Sequence, residues 1–310
     1  MAKILVTPRS LTKGGDPALE LLKKAGYEVV FCTAGKSPDE AELARLLPGC
    51  VGWLAGVEKI GEVVLAKATE LKAISRNGTG VDSIDLEACR RRGIPVLRAE
   101  GANARGVAEL ALGLILAMLR SIPFSDARMK AGGWERRQGS ELEGKTLGVI
   151  GTGKIGKLVA GFGLALGMKV IGADPYPDAA FAKTPGFRYA PVGELLAASD
   201  VVTLHCPQEP GAKPLLDAAA LASMKKGAYL VNTARWGLVD ADAALKSLAD
   251  GRLAGYAVDA YEAEPPAAHP LLAHERVITT PHVGAFTAES VARATRAAVD
   301  NLLAALKKGA

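Results

Sequence analysis

One stretch constrains this chain more than any other: an apolar strand, a glycine-rich turn, a helix and a second strand ending in an acid, all between residues 145 and 174. Leu147, Val149 and Ile150 form a run long enough for a buried parallel strand, and it stops at Gly151. Gly151 permits a tight turn, Gly153 leaves no Cβ between the backbone and a pyrophosphate, and Gly156 lets the next helix sit close to the sheet. That helix presents Ile155, Leu158, Val159, Phe162 and Leu166 on one face, and its N-terminal amides would point at phosphates. Residues 168–173 read as the second strand. Asp174 closes it, eighteen residues beyond Gly156, where a carboxylate accepts hydrogen bonds from a ribose and repels a 2′-phosphate. A glycine turn alone says little, but five features in one register predict a Rossmann-type unit that holds a dinucleotide, NAD rather than NADP.

The 310 residues suit two domains rather than one core. Cys32, Cys50, Cys89 and Cys206 show no CxxC pairing, so neither a zinc site nor a disulfide framework is expected, and a reducing cytoplasm fits. His269 and His274 lie in a proline-rich loop without metal-ligand spacing, and no metal is expected. The N-terminus runs directly into a short strand and lacks a signal peptide's longer apolar region. The most apolar segment, 110–119, falls far short of the roughly 20 residues needed to span a bilayer, so no membrane role is expected. A net charge of +5, with one basic run at Arg90, Arg91 and Arg92 and no interleaved aromatics, argues against a nucleic-acid partner.

The first hundred residues alternate short apolar strands (3–7, 27–32, 51–54, 72–75 and 94–97) with polar helical stretches, the rhythm of a parallel sheet. A second series starts at the fingerprint strand and continues through 200–206, 228–233, 255–260 and 277–280. The predicted class is α/β, with two Rossmann-like doubly wound domains and a cleft between them. The closing segment, 287–307, has helical period but no strand partners, so it is expected to return to the first domain. The expected division is therefore residues 1–100 with 287–310, a flavodoxin-like substrate domain, and residues 101–286, the NAD-binding domain. The helix at 104–119 is apolar almost all round, which predicts burial on several sides and would suit a subunit interface.

Three polar residues follow strand ends in the second series. Arg235 lies just past an apolar strand, where its guanidinium fork can clamp a carboxylate. His282 also follows a strand directly, and an imidazole can take a proton from an alcohol or return it to a ketone near neutral pH. Glu264 would stabilise the protonated imidazole if the two met. Each alone suits a structural role better, but three at successive strand ends point to one site. His205, ending the strand after the fingerprint unit, is expected to line the adenosine side together with Cys206 and Pro207.

These residues resemble the D-isomer-specific 2-hydroxyacid dehydrogenase family, and within it the phosphoglycerate dehydrogenase branch. The resemblance covers nearly the whole chain. Its most specific parts are residues 78–82, 102–109, 129–136, 142–148 with the fingerprint, 232–235, 262–266 and 280–285. It implies Arg235 as the substrate-orienting arginine, Glu264 as the partner of the histidine and His282 as the general acid and base. It implies cofactor contacts from Thr79, Lys154, Ile155, Asp174, Cys206, Thr233, Ala234 and Asp259, with Gly284 and Ala285 beside the nicotinamide. Amides around Asn77 and Gly78 would hold the substrate carboxylate, Arg76 matches a position used for anionic substrates, and the assembly would be a homodimer. Two departures stand out. Trp236 replaces the usual glycine after the arginine, and Phe286 replaces a small residue, so apolar bulk is expected near the reacting groups. The regulatory domain of some relatives is not matched, so feedback control by serine is not expected.

The expected function is NAD-dependent interconversion of a small 2-hydroxy acid and its 2-keto acid. A hydroxypyruvate or glyoxylate reductase is the alternative within the same chemistry. An NADH-sensing corepressor is the alternative outside it, and would show negligible turnover.

Overall fold

The computed structural model describes residues 1–209 and 211–308. It contains two compact units, Met1–Asn103 with the segment from Ala288 onward, and Ala104–Thr287. The expected boundaries fall a few residues away, because the junction lies where the apolar helix Ala104–Leu119 begins and where the closing helix Ala288–Lys308 begins.

The first unit holds β1 (Lys3–Val6), β2 (Glu28–Phe31), β3 (Cys50–Ala55), β4 (Ala73–Arg76) and β5 (Val96–Arg98). They form one parallel sheet in the order β2-β1-β3-β4-β5. Side chains alternate across it. Leu5, Trp53 and Ile74 pack on one face with Leu43, Val64 and Leu65, while Ile4, Val6, Leu54 and Ala73 face Ala298, Val299, Leu302 and Leu306 of the closing helix. Ser75 Oγ donates to the Ala298 carbonyl at 2.7 Å, anchoring that helix to β4. The closing segment thus lacks strand partners because it is a cover for this sheet.

The second unit holds β6 (Thr146–Ile150), β7 (Lys169–Ala173), β8 (Phe187–Tyr189), β9 (Val201–Leu204), β10 (Ala228–Asn232), β11 (Leu253–Val258) and β12 (Val277–Thr279). These also run parallel, in the order β12-β11-β10-β9-β6-β7-β8. Edge strand β8 has no counterpart in the sequence reading, since three residues of mixed character, Phe187-Arg188-Tyr189, carry no apolar run. The helices Ala104–Leu119 and Lys154–Ala165 pack together on one face, burying Ala108, Ala111, Ile115, Val159 and Ala160 against Val149 and Val231. The Ala104–Leu119 helix is buried along much of its circumference, which accounts for its nearly uniform apolarity. Among the described residues, no single helix is long and apolar enough to cross a membrane.

Both sheets reverse their strand order once, between β1 and β3 in the first unit and between β6 and β9 in the second. Crevices beyond the strand ends at such points are where ligands bind in open α/β sheets.

Candidate active site

The β6–β9 crevice is shaped by glycine. Gly151 has φ +88°, and a Cβ there would lie 2.6 Å from the Cys206 nitrogen and the His205 carbonyl carbon. The His205 amide donates to the Ile150 carbonyl at 2.7 Å, so the two strand ends are stitched together across this point. A Cβ on Gly156 would run into the Gly151 carbonyl oxygen, so only glycine lets the helix start so close to the turn. Gly153, just before Lys154 and Ile155 open the helix, behaves differently: an added Cβ meets nothing within 4 Å. Open space therefore lies beside the helix N-terminus, where a pyrophosphate would sit.

Polar groups around this crevice await partners. Thr233 Oγ1 and His205 Nδ1 are buried without a hydrogen-bond partner. His205 Nε2 lies 2.9 Å from Thr203 Oγ1, and burial pushes the imidazole down to about 3, so it is neutral at physiological pH. Burial likewise pushes the Cys206 thiol up, which makes it an apolar wall rather than a nucleophile. Asp174 accepts from the Thr152 amide at 2.7 Å through Oδ2 and from the Tyr176 amide at 2.9 Å through Oδ1. Glycine cradle, open helix start, unpaired polar atoms and a held carboxylate together fit a dinucleotide.

Farther along the sheet, three adjacent strands β10, β11 and β12 deliver Arg235, Glu264 and His282. Asn232, fully buried at the end of β10, shapes the first loop: its Nδ2 donates to the Arg235 carbonyl at 2.8 Å and its Oδ1 accepts from the Ala234 amide at 3.1 Å. Arg235 Nη1 donates to the Ala234 carbonyl at 2.8 Å. The loop after β12 is held by Asp259, which is 1% exposed and accepts from Thr280 Oγ1 at 2.6 Å and from the Val283 and Gly284 amides at 2.9 Å each. The Tyr261 hydroxyl adds a bond to the Thr280 carbonyl at 2.9 Å. His282 sits in that loop at φ +53°, a left-handed conformation costing a non-glycine residue about 1–3 kcal/mol, which the Asp259 anchor supports. Its Nδ1 lies 2.5 Å from Glu264 Oε1, with both side chains roughly half exposed.

Asp259, expected among the cofactor contacts, accepts three hydrogen bonds from the 280–284 loop, which leaves about one of a carboxylate's four acceptor positions open. The expectations and the geometry differ in two places. Trp236 packs over Tyr261, with ring centroids 5.9 Å apart, and against His269 at 6.3 Å, so its bulk braces the strand-end loops. In the first unit, the amides expected to hold a carboxylate are occupied: Asn77 N donates to the Ala55 carbonyl at 2.9 Å and Gly78 N to the Arg76 carbonyl at 2.8 Å. What that strand end presents instead is side chains, the half-buried Arg76 guanidinium, whose Nη1 donates to the Asn77 carbonyl, and Asn77, whose Oδ1 is buried without a partner. Thr79 follows, its hydroxyl 3.2 Å from Asn103 Oδ1. Phe286 is 73% exposed. Ala285 follows Gly284 in the 280–284 loop region, and Pro207 follows Cys206 at the exposed end of β9.

A family model described as the NAD-binding domain of D-isomer-specific 2-hydroxyacid dehydrogenases matches residues 112–284, more than half of the chain. This chain belongs to that family. The member named D-3-phosphoglycerate dehydrogenase in Methanocaldococcus jannaschii is 41% identical over 297 residues, covering 94% of this chain and 55% of its own length. The chain spans about half the length of the curated relatives it matches. Among solved structures, the TT0316 protein from Thermus thermophilus is 37% identical with a TM-score of 0.88, covering 99% of this chain and 97% of its own. A D-lactate dehydrogenase from Aquifex aeolicus, complexed with NAD and lactic acid, is 30% identical with a TM-score of 0.82 and covers 99% and 96% of the two chains. NAD is accordingly the cofactor of this family domain.

Several residues that build this site were missed in the sequence. Asn232 offered a signal, a polar residue ending an otherwise apolar strand. Tyr261, Thr152 and Tyr189 offered none, since their contacts join segments distant in sequence.

Proposed function

We propose that the protein is an NAD-dependent D-2-hydroxyacid dehydrogenase of the phosphoglycerate dehydrogenase type, interconverting a small 2-hydroxy acid and its 2-keto acid. The observation that carries this reading is the Glu264–His282 contact on a loop anchored by Asp259, in the same strand-end region as the Arg235 loop. Bound NAD supplies the hydride acceptor at the nicotinamide ring. The remaining work falls to side chains. With Nδ1–H donating to Glu264, the other ring nitrogen of His282 takes the proton of the substrate hydroxyl in oxidation and returns it to the carbonyl in reduction. Glu264 steadies the imidazolium that forms, and Arg235 holds the substrate carboxylate by its two-pronged guanidinium.

Cofactor contacts are assigned to Gly151, Gly153, Lys154, Ile155, Gly156, Asp174, His205, Cys206, Pro207, Thr233, Ala234, Arg235, Asp259, His282, Gly284 and Ala285, with Thr79 as the contribution of the first unit. Arg76, Asn77 and Gly78 are that unit's contribution to substrate recognition, acting through the side chains of Arg76 and Asn77. A homodimer is inferred from the exposed apolar groups Ile122, Met129 and Trp134 beyond the Ala104–Leu119 helix. The four free cysteines support a reducing, cytoplasmic setting.

A second reading, a hydroxypyruvate or glyoxylate reductase, runs the same chemistry on an unphosphorylated keto acid and is favoured by Arg76 Nη1 already donating to the Asn77 carbonyl. NADH consumption measured over a panel of 2-keto acids, including phosphohydroxypyruvate, hydroxypyruvate, glyoxylate and pyruvate, separates the two. The phosphorylated acid turning over best, and Arg76→Ala removing that preference alone, is the expected result. No turnover on any of them would remove the dehydrogenase reading.

A further inference from the structure

The carboxylate assigned to the ribose is tied into a line of hydroxyl groups. Asp174 Oδ2 accepts from the Thr152 amide and also lies 3.2 Å from Thr152 Oγ1, while Oδ1 accepts from the Tyr176 amide. Thr152 Oγ1 is in turn 3.0 Å from the Tyr189 hydroxyl, which accepts from the Asp178 amide at 3.1 Å.

Proton counting gives this line one direction. An ionised carboxylate only accepts, so the single Thr152 hydroxyl proton goes to Asp174. Thr152 Oγ1 can then only accept from Tyr189, and the Tyr189 oxygen, its own proton spent, receives the Asp178 N–H. Thr152 is 3% exposed, so water does not compete for these positions. Oδ2 thereby holds two hydrogen bonds and Oδ1 one, leaving about one of a carboxylate's four acceptor positions open.

The surrounding charge points the same way. Lys157, a cation on the helix that follows the glycine turn, gives its ammonium to the Asp178 carboxylate. That bond, with the Phe181 and Ala180 amides, holds the Asp178 carboxyl down to about 2, so the lysine's charge is matched by a second fixed anion.

We propose that Thr152 and Tyr189 are specificity-determining positioning residues, whose hydroxyl relay holds Asp174 in the orientation that accepts a ribose hydroxyl and excludes a 2′-phosphate. The inference rests on the assignment of Asp174 to the ribose made above. Thr152 lies inside the glycine turn without being one of its glycines, and Tyr189 comes from the short edge strand β8.

Calorimetric titration of the purified protein with NADH and with NADPH gives the ratio of the two dissociation constants, and thermal melting reports folding. In Thr152→Val that ratio falls about tenfold toward NADPH, the worth of one charge-assisted hydrogen bond. Tyr189→Phe moves it several-fold in the same direction, and Thr152→Ser, which keeps the hydroxyl, retains the parent ratio. An unchanged ratio in Thr152→Val and Tyr189→Phe, with a collapsed one in Asp174→Ala, overturns the relay and leaves the role of Asp174 standing. An unchanged ratio in Asp174→Ala overturns that assignment and the relay with it. Should Thr152→Ser behave like Thr152→Val at equal melting temperature, packing rather than the hydroxyl sets the ratio, and the proposal fails.

Discussion

The two parallel sheets meet the same topological condition and answer it oppositely. In the second unit, the crevice between β6 and β9 is kept clear: Gly153 has nothing within 4 Å of an added Cβ. In the first unit, the crevice between β1 and β3 is filled by the chain itself. Thr7 Oγ1 bonds the Glu58 carboxylate, receives Trp53 Nε1 at 3.0 Å and the Gly56 amide at 3.2 Å, and all of it is buried. A Cβ on Gly56 would sit 2.7 Å from Glu58 Oε2 and 3.0 Å from Pro8. Strand order therefore creates the opportunity for a ligand, and the residues at the strand ends decide whether it is taken. The first unit's remaining polar end is the next one along, β4, where Arg76 and Asn77 stand.

Exchanging small for slightly larger residues tests this contrast. Gly153→Ala is expected to weaken NADH binding by at least about tenfold, by filling the phosphate approach, with little change in melting temperature. Gly56→Ala is expected to do the reverse, lowering stability by about 1–3 kcal/mol through overpacking while NADH affinity stays put. Calorimetric titration and thermal melting of both variants would break the comparison if either changed the other quantity instead. Thr7→Val strips the hydroxyl from the filled crevice and should cost about 1–3 kcal/mol in denaturant unfolding, again without touching NADH affinity.

A further effect concerns pH. The folded-state value of His205 is depressed to about 3 by burial, against an ordinary 6.5 when unfolded. As pH falls below 6.5 the unfolded chain takes up a proton that the folded one refuses, so the stability present above that value drains away toward pH 3. His205→Gln should flatten the melting temperature against pH across this window. An identical slope in parent and variant would show that another group controls acid stability.

How much of this was legible beforehand follows from the range of the interactions. The fingerprint strand, its glycines and Asp174 could be read because they are local, each constraint lying within one βαβ unit. Arg235, Glu264 and His282 could be nominated, since each follows an apolar run, but nothing local announces the 2.5 Å contact of the last two. The Asp259 anchor, the Tyr261 brace and the Thr152–Tyr189 contact join residues 19 to 37 positions apart and emerge only from the fold. Edge strand β8 was missed for the complementary reason, that three residues carry too little pattern to distinguish a strand from a loop. The filled first crevice was equally invisible, because Thr7 and Glu58 lie 51 residues apart.

Proton transfer by the half-exposed imidazole at the end of β12 is the step on which the proposed chemistry depends. Rapid-mixing measurement of the hydride-transfer step, in both directions and across pH, in the parent protein and in His282→Asn, addresses it directly. The variant should lose about 10²–10⁴-fold in rate in both directions, together with whatever pH slopes the parent shows. A variant that keeps the parent's slopes and rate would show that the proton travels by another group.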